Sequence, residues 1–166
     1  IGDLLSATFA LMTTTILFAG LLYVYHSKDK SAEYPAFVPS FLTMCAGLGG
    51  AFYTGDILTL FVFIELTVMS SVILVATSDN RYGLEAAMKY LLISAMGTLF
   101  LLIGIASFYI TFGTLNMADI GRLLLLEGDN LPLLSRAAAA MLMSAFLLKS
   151  AVFPFHFWQP DFHTTA

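Results

Sequence analysis

Apolar residues fill five long stretches of this chain, at residues 4–25, 36–54, 56–77, 86–112 and 135–153, and short polar or turn-rich connections separate them. A bilayer has a hydrocarbon core about 30 Å thick and needs about 20 mostly apolar helical residues to cross it, a length these stretches meet or approach. Inside that core each backbone N–H and C=O must be satisfied within its own segment, so the stretches are predicted as helices. The punctuation is polar: HSKDKSAE before Tyr34 and Pro35, a tight turn at Thr54, Gly55 and Asp56, and SDNRYG at residues 78–83. The fourth connection, residues 113–132, carries Asn116, Asp119, Arg122, Glu127 and Asp129 around a run of four leucines. It reads either as a short helix lying in the interface or as an irregular surface loop. The pattern predicts an all-α integral membrane protein with about five transmembrane helices, a single transmembrane domain over residues 1–166 that ends on a partly apolar segment and reads as a fragment.

Composition agrees. Of 166 residues 59% are hydrophobic and 11% charged, against about 25% charged in an average soluble domain. The formal net charge of -4 and the placement of the charges between apolar stretches argue against a nucleic-acid surface or a polybasic lipid patch. Cys45 is the only cysteine, which excludes an intrachain disulfide and a multi-cysteine metal site. Lys28, Lys30 and Arg81 share one membrane face and Arg122 and Arg136 the other, so the basic residues place the first face in the cytoplasm. Gly47, Gly49, Gly50 and Ala51 in the second stretch fit close helix packing, and the scattered methionines fit adaptable packing.

Two charges break the apolar pattern. Glu65 lies nine residues beyond Asp56, hence about 13 Å in from that face and near the midplane. Lys149 lies thirteen residues beyond Arg136, roughly 20 Å from the same face. The neighbours one helical turn away from each are apolar: Phe61, Val62, Val68 and Met69 for the glutamate, Ala145, Phe146, Val152 and Phe153 for the lysine. A charge at this depth costs on the order of 3 kcal/mol, so it must be paired, hydrated or functional. The remaining offset is within the reach of a lysine, which makes a Glu65–Lys149 pair plausible if their helices are close. Such a pair reads as part of an ion path or as a structural lock between helices. Lys89 begins the fourth stretch with Glu85 one turn earlier; it reads as a surface pair or as a shallower station on the route to Lys149.

Pro154 follows the lysine in the same run and would clash with the Ser150 carbonyl, so a helix break is expected at Pro154, just beyond Lys149. After it come His156, Trp158, Pro160, Asp161, His163, Thr164 and Thr165. His156 and His163 are seven residues apart with no further ligand at a recognised spacing, so a proton relay or interfacial anchoring fits them better than a metal site. No cofactor-binding motif is present.

These residues also carry a resemblance. The segment FLLKSAVFPFHFWQPDFHTTA at 146–166 resembles the lysine-bearing seventh-helix motif of the antiporter-like membrane subunits of respiratory complex I, membrane-bound hydrogenases and Mrp cation/proton antiporters. DILTLFVFIE at 56–65 is similar to the family's fifth-helix segment with its glutamate, GLEAAMKYLLIS at 83–94 to the start of the sixth, and GTLNMAD at 113–119 to the loop that follows. The resemblance implies about the third to seventh helices of a customary fourteen, within the first of two inverted repeats, in a prokaryotic cell membrane. It implies proton or proton/cation translocation, with Lys149 as switching proton carrier, Glu65 as modulating counter-charge, Lys89 in the sixth-helix region, and His156 or His163 as relay groups. The implied partners are other membrane subunits, the lipid bilayer, protons and sodium. Gln159 departs from the apolar residue many relatives place between Trp and Pro, and the 113–119 and 155–158 segments lean toward the Mrp D-like branch. Two other readings stay open: a non-transporting scaffold that docks partner subunits, and a metal-dependent intramembrane hydrolase using the terminal His and Asp cluster.

Overall fold

The computed structural model describes residues 2–27, 30–77 and 80–165; Lys28 and Asp29 of the first connection, Ser78 and Asp79 of the third, and the terminal Ile1 and Ala166 lie outside the described residues. Among the described residues seven helices follow in order: α1 Leu4–Ser27, α2 Phe37–Tyr53, α3 Ile57–Ala76, α4 Arg81–Phe112, α5 Met117–Glu127, α6 Leu133–Lys149 and α7 Gln159–Thr165. Helices α1, α3 and α4 are long and apolar enough to cross a membrane. The 17 residues each of α2 and α6 sit at the short limit for a span.

Caps explain where the helices depart from the apolar stretches. Helix α4 begins at Arg81, five residues before the apolar run, because the Asn80 side chain accepts the Gly83 N–H at 2.6 Å and allows a polar first turn. In the fourth connection the helical reading holds: Asn116 accepts the N–H groups of Ala118 and Asp119 and starts α5. Hydropathy marks the membrane, whereas caps mark the helix.

The helices form a row in which α1 packs on α2, α2 on α3, α3 on α4, and α4 on α6. Gly47 and Gly50 allow the α2–α3 approach: a Cβ on Gly47 would meet Thr67 and the Phe63 carbonyl, and one on Gly50 the Phe63 ring. Gly49 has open space instead. Helix α4 is the hub, with α3 and α6 on it and α7 lying against it. Its buried face, which includes Leu101, Ile105 and Phe108, meets Ala138, Leu142 and Ala145 of α6, with Ile57 and Ile120 closing one end. That end is tied by backbone: Ile57 N–H donates to the Leu115 carbonyl and Met117 N–H to the Gly55 carbonyl, joining the two connections.

The break after Lys149 comes earlier than the sequence indicated. Helix α6 ends at Lys149 itself, five residues before Pro154, and not at residue 153. Ala151 takes a left-handed conformation, φ 51°; its N–H donates to Leu148 O and that of Val152 to Leu147 O, the paired bonds of a Schellman helix end. Proline accounts for the early stop. A helix continued through Ser150 would set its carbonyl against the Pro154 ring, and Phe153, preceding proline, is disfavoured in helical geometry. The chain therefore leaves the helix one turn ahead and resumes with a short turn at His156–Trp158 and then α7.

Candidate functional site

Lys149 and Glu65, 84 positions apart, meet. The Lys149 ammonium donates to Glu65 Oε1 at 2.7 Å. It also reaches Ser94 Oγ at 3.2 Å and Thr98 Oγ1 at 3.4 Å, so three acceptors meet the three ammonium hydrogens. Thr98 Oγ1 in turn donates to Glu65 Oε1 at 2.7 Å, with the Ser94 carbonyl as a second acceptor at 3.0 Å. The pair thus spans three helices: the glutamate from α3, the lysine from α6, and two hydroxyls from α4 between them.

How the lysine crosses α4 follows from local sequence. Ser94, Gly97, Thr98 and Leu101 fall on one face of α4 at helical spacing, and the first three are small. A Cβ added at Gly97 would lie 3.4 Å from Lys149 Cγ, 3.6 Å from its Cε and 3.3 Å from Leu148 Cδ2. The aliphatic stem of the lysine therefore runs over Gly97 through a notch, flanked by the two hydroxyls it bonds. Side chains lean toward the N-terminus of their own helix, which brings the ammonium back from the end of α6 toward the level of Glu65.

Burial is incomplete in the single chain. The Lys149 side chain is 11% exposed and that of Glu65 20%. Among the described residues the buried polar residues carry hydroxyls, Ser40, Ser70, Thr77, Ser94 and Ser135, and none is charged. The paired charges expected at membrane depth are thus brought together without being fully buried in this chain. The residual opening is a cavity of about 290 Å³ between α3 and α4, lined by Glu65, Ser94 and Thr98 together with Val68, Met69, Leu91, Ala95 and Leu99.

The other expected residues stand apart from the pair. Lys89 bonds Glu85 at 2.9 Å with about half of each side chain exposed; it precedes Ser94 by five residues, a rotation of about 140° that turns it off the face carrying the pair. His156 lies against the Phe153 ring and His163 against that of Phe162. Both are exposed, and among the described residues no hydrogen bond links either ring to Lys149 or Glu65. The side chain of Asp161, the third member of that cluster, lies outside the described residues. Pro154 is exposed beyond the break.

Sequence reading missed Ser94, Gly97 and Thr98, and also the clamp behind the lysine. Trp158 is buried, stacks on Tyr90 of α4 with centroids 4.7 Å apart, and donates its Nε1–H to Leu148 O at 3.3 Å. Phe162 of α7 lies on the other side of the cluster, 4.4 Å from the Tyr90 ring. The broken segment is thus held against α4, with the indole as a second donor to the Leu148 carbonyl that the Ala151 N–H already bonds. The signal for the notch was present as small and hydroxyl residues at i, i+3 and i+4 inside an apolar helix.

Known membrane proteins share both this sequence and this backbone. The chain is 30% identical over 160 residues, 96% of its length and 32% of the relative, to the D subunit of the Na(+)/H(+) antiporter of Alkalihalophilus pseudofirmus. It is 32% identical over 143 residues, covering 85% of this chain and 29% of the relative, to the N subunit of the NADH-quinone oxidoreductase of Helicobacter acinonychis. Its backbone matches a chain in the membrane-bound sulfane sulfur reductase, an archaeal respiratory membrane complex, with TM-score 0.83 and 29% identity, over 98% of this chain and 32% of that one. The chain spans about a third of the length of these relatives. It is a multi-pass integral membrane chain of the antiporter-like fold. Residues 54–166 match the NADH:quinone oxidoreductase/Mrp antiporter transmembrane family, and with that match over most of its length the chain belongs to this family.

Proposed function

We propose that this chain carries the charge switch of a proton- or proton/cation-translocating subunit in a multisubunit membrane complex, with Lys149 as the proton carrier and Glu65 as its counter-charge. The observation that carries this reading is the 2.7 Å pair made across three helices at the point where α6 ends. A broken helix at membrane depth is tolerated within protein or beside a water-filled cavity, and here the segment after the break is packed back on α4 through Trp158 and Tyr90. Separating an ammonium from its carboxylate in a poorly solvated setting alters the proton affinity of both groups, so any movement of the α6 end is coupled to protonation. Other membrane subunits, the bilayer, protons and sodium are the partners this reading assigns. His156, His163 and Lys89 are proposed only as outlying relay groups, since none of them bonds the pair.

The scaffold reading draws on the completeness of the bonding: an ammonium with three acceptors is also a good lock between α3, α4 and α6. The test is Lys149→Ala in the intact complex in membrane vesicles. Loss of proton translocation with assembly preserved is expected; translocation at the wild-type rate would leave only the scaffold.

A further inference from the structure

Helices α1 and α2 touch at one end and part toward the other. At the touching end the Phe9 ring stacks on that of Phe52, with centroids 6.0 Å apart. From there the seam opens: a Cβ on Gly49, which shares the Cys45 and Phe52 side of α2 at helical spacing, would meet nothing within 4 Å. Two cavities follow along the seam, one of about 190 Å³ reaching from Thr14 to Leu21 of α1 and one of about 510 Å³ reaching from Leu21 to Tyr25. Leu21 lines both, and Leu42 and Val38 face them from α2, so the two run end to end.

We propose that the seam between α1 and α2 is a binding site for one acyl chain of a bilayer phospholipid, with the headgroup at the connection that joins the two helices. The site lies on helices other than those that carry the charged pair, and it stands whether or not that pair transports protons.

Length and volume single out the occupant. Tyr25 lies eleven residues beyond Thr14, so the seam runs about 17 Å, close to the roughly 15 Å that one leaflet contributes to the hydrocarbon core. It begins where α1 meets the polar connection and ends near the middle of that helix. That is the track of a lipid chain and not of a protein helix, which crosses both leaflets. A helix of this length would also fill roughly 1,300 Å³, more than the two cavities offer. The walls give a polar occupant little to bond. Leucine, phenylalanine and valine side chains make up most of them, and Thr14 Oγ1 already donates to the Ala10 carbonyl at 2.8 Å. An apolar cavity of this kind stays dry and takes an apolar guest.

The mouth of the seam suits a headgroup. Tyr25 is 82% exposed there, and tyrosines gather at the membrane–water interface with the ring inward and the hydroxyl among the headgroups. The connection at residues 26–33 sets Lys28 and Lys30 against Asp29 and Glu33. Its charge is balanced, so a zwitterionic headgroup meets no net field and the chain in the seam supplies the recognition. Helix α1 also gains from such a filler. None of its residues is buried by protein, and Phe18, Leu21 and Leu22 stay exposed along the seam. Without a hydrophobic force between helices in lipid, packing contact is what holds α1 to α2, and an acyl chain between them supplies it.

The test places the intact complex in phosphatidylcholine nanodiscs that include a phosphatidylcholine with a diazirine at mid-chain. The complex is irradiated before and after a detergent wash that strips loosely held lipid, and the adducts are located by peptide mass mapping. Adducts on Leu17, Leu21 and Leu42 that survive the wash are expected. Ile16, which is 59% exposed and lies about 160° round α1 from both Thr14 and Phe18, should lose its label in the wash. Leu21→Trp and Leu42→Trp fill the seam and should each abolish the wash-resistant label, whereas Ile16→Trp should keep it, with assembly of each variant checked by copurification of the other subunits. Seam adducts that wash off as readily as those on Ile16 would make the lipid merely annular and overturn the site. A seam without adducts even before the wash would put protein there and overturn it as well, and so would wash-resistant label that persists in both filling variants. The wild-type map decides by itself where a variant fails to assemble.

Discussion

Gly97 decides whether the lysine can reach the glutamate, and a graded substitution series measures this. In Gly97→Ala the new Cβ meets Leu148 Cδ2 at 3.3 Å and Lys149 Cγ at 3.4 Å. Both are side-chain atoms that can give by a few tenths of an ångström, so the cost is below about 1 kcal/mol and the pair persists. Gly97→Val adds two methyl groups where the lysine stem lies, and Gly97→Leu fills the notch. Removing one partner of a buried pair costs about 3–5 kcal/mol; with the two side chains 11% and 20% exposed, displacement of the stem should cost toward the lower end. The assay is proton translocation in vesicles holding the assembled complex, with assembly checked by copurification of the other subunits. Alanine should retain most of the rate, valine little, and leucine none. A valine or leucine variant that translocates like wild type would show that the lysine does not cross α4 at Gly97 in the working protein.

Two further outcomes follow from the same geometry. Glu65→Gln and Lys149→Met should be non-additive in a double-mutant cycle of thermal stability, with a coupling of about 1–3 kcal/mol, because each single change strands the other charge; additive losses would place the two residues in separate environments. Ala151→Gly should stabilise the end of α6 by about 0.5–1 kcal/mol, since the left-handed position at φ 51° favours glycine, and a melting temperature that stays put or falls would mean that Ala151 is unstrained there.

What the sequence determined by itself was the five long apolar stretches that form helices and the identity of the two exceptional charges. Both are nearly one-dimensional properties. Long apolar runs must be helical in a bilayer because their backbone has no other partner, and Glu65 and Lys149 stand out because an unpaired charge at that depth is expensive whatever surrounds it. The family motifs at 56–65 and 146–166 were legible for the same reason, since they are contiguous in the chain. Other features depended on how helices rotate and cross. Lys89 was a plausible station by depth, yet its rotation on α4 turns it outward to Glu85. His156 and His163 were close to the lysine in sequence, yet the break at Ala151 carries them away from the pair. The end of α6 lies at Lys149 and not at residue 153, because proline announces that a helix cannot continue, not where the chain prefers to leave it. Only the packing of α6 over α4 and of α4 on α3 gathered Ser94, Gly97 and Thr98 around the ammonium. Their small and hydroxyl side chains are inexpensive in an apolar helix, because a Thr98-type hydroxyl also bonds the carbonyl four residues back. They therefore carry no energetic flag in the sequence, and tertiary contact alone made them part of the site.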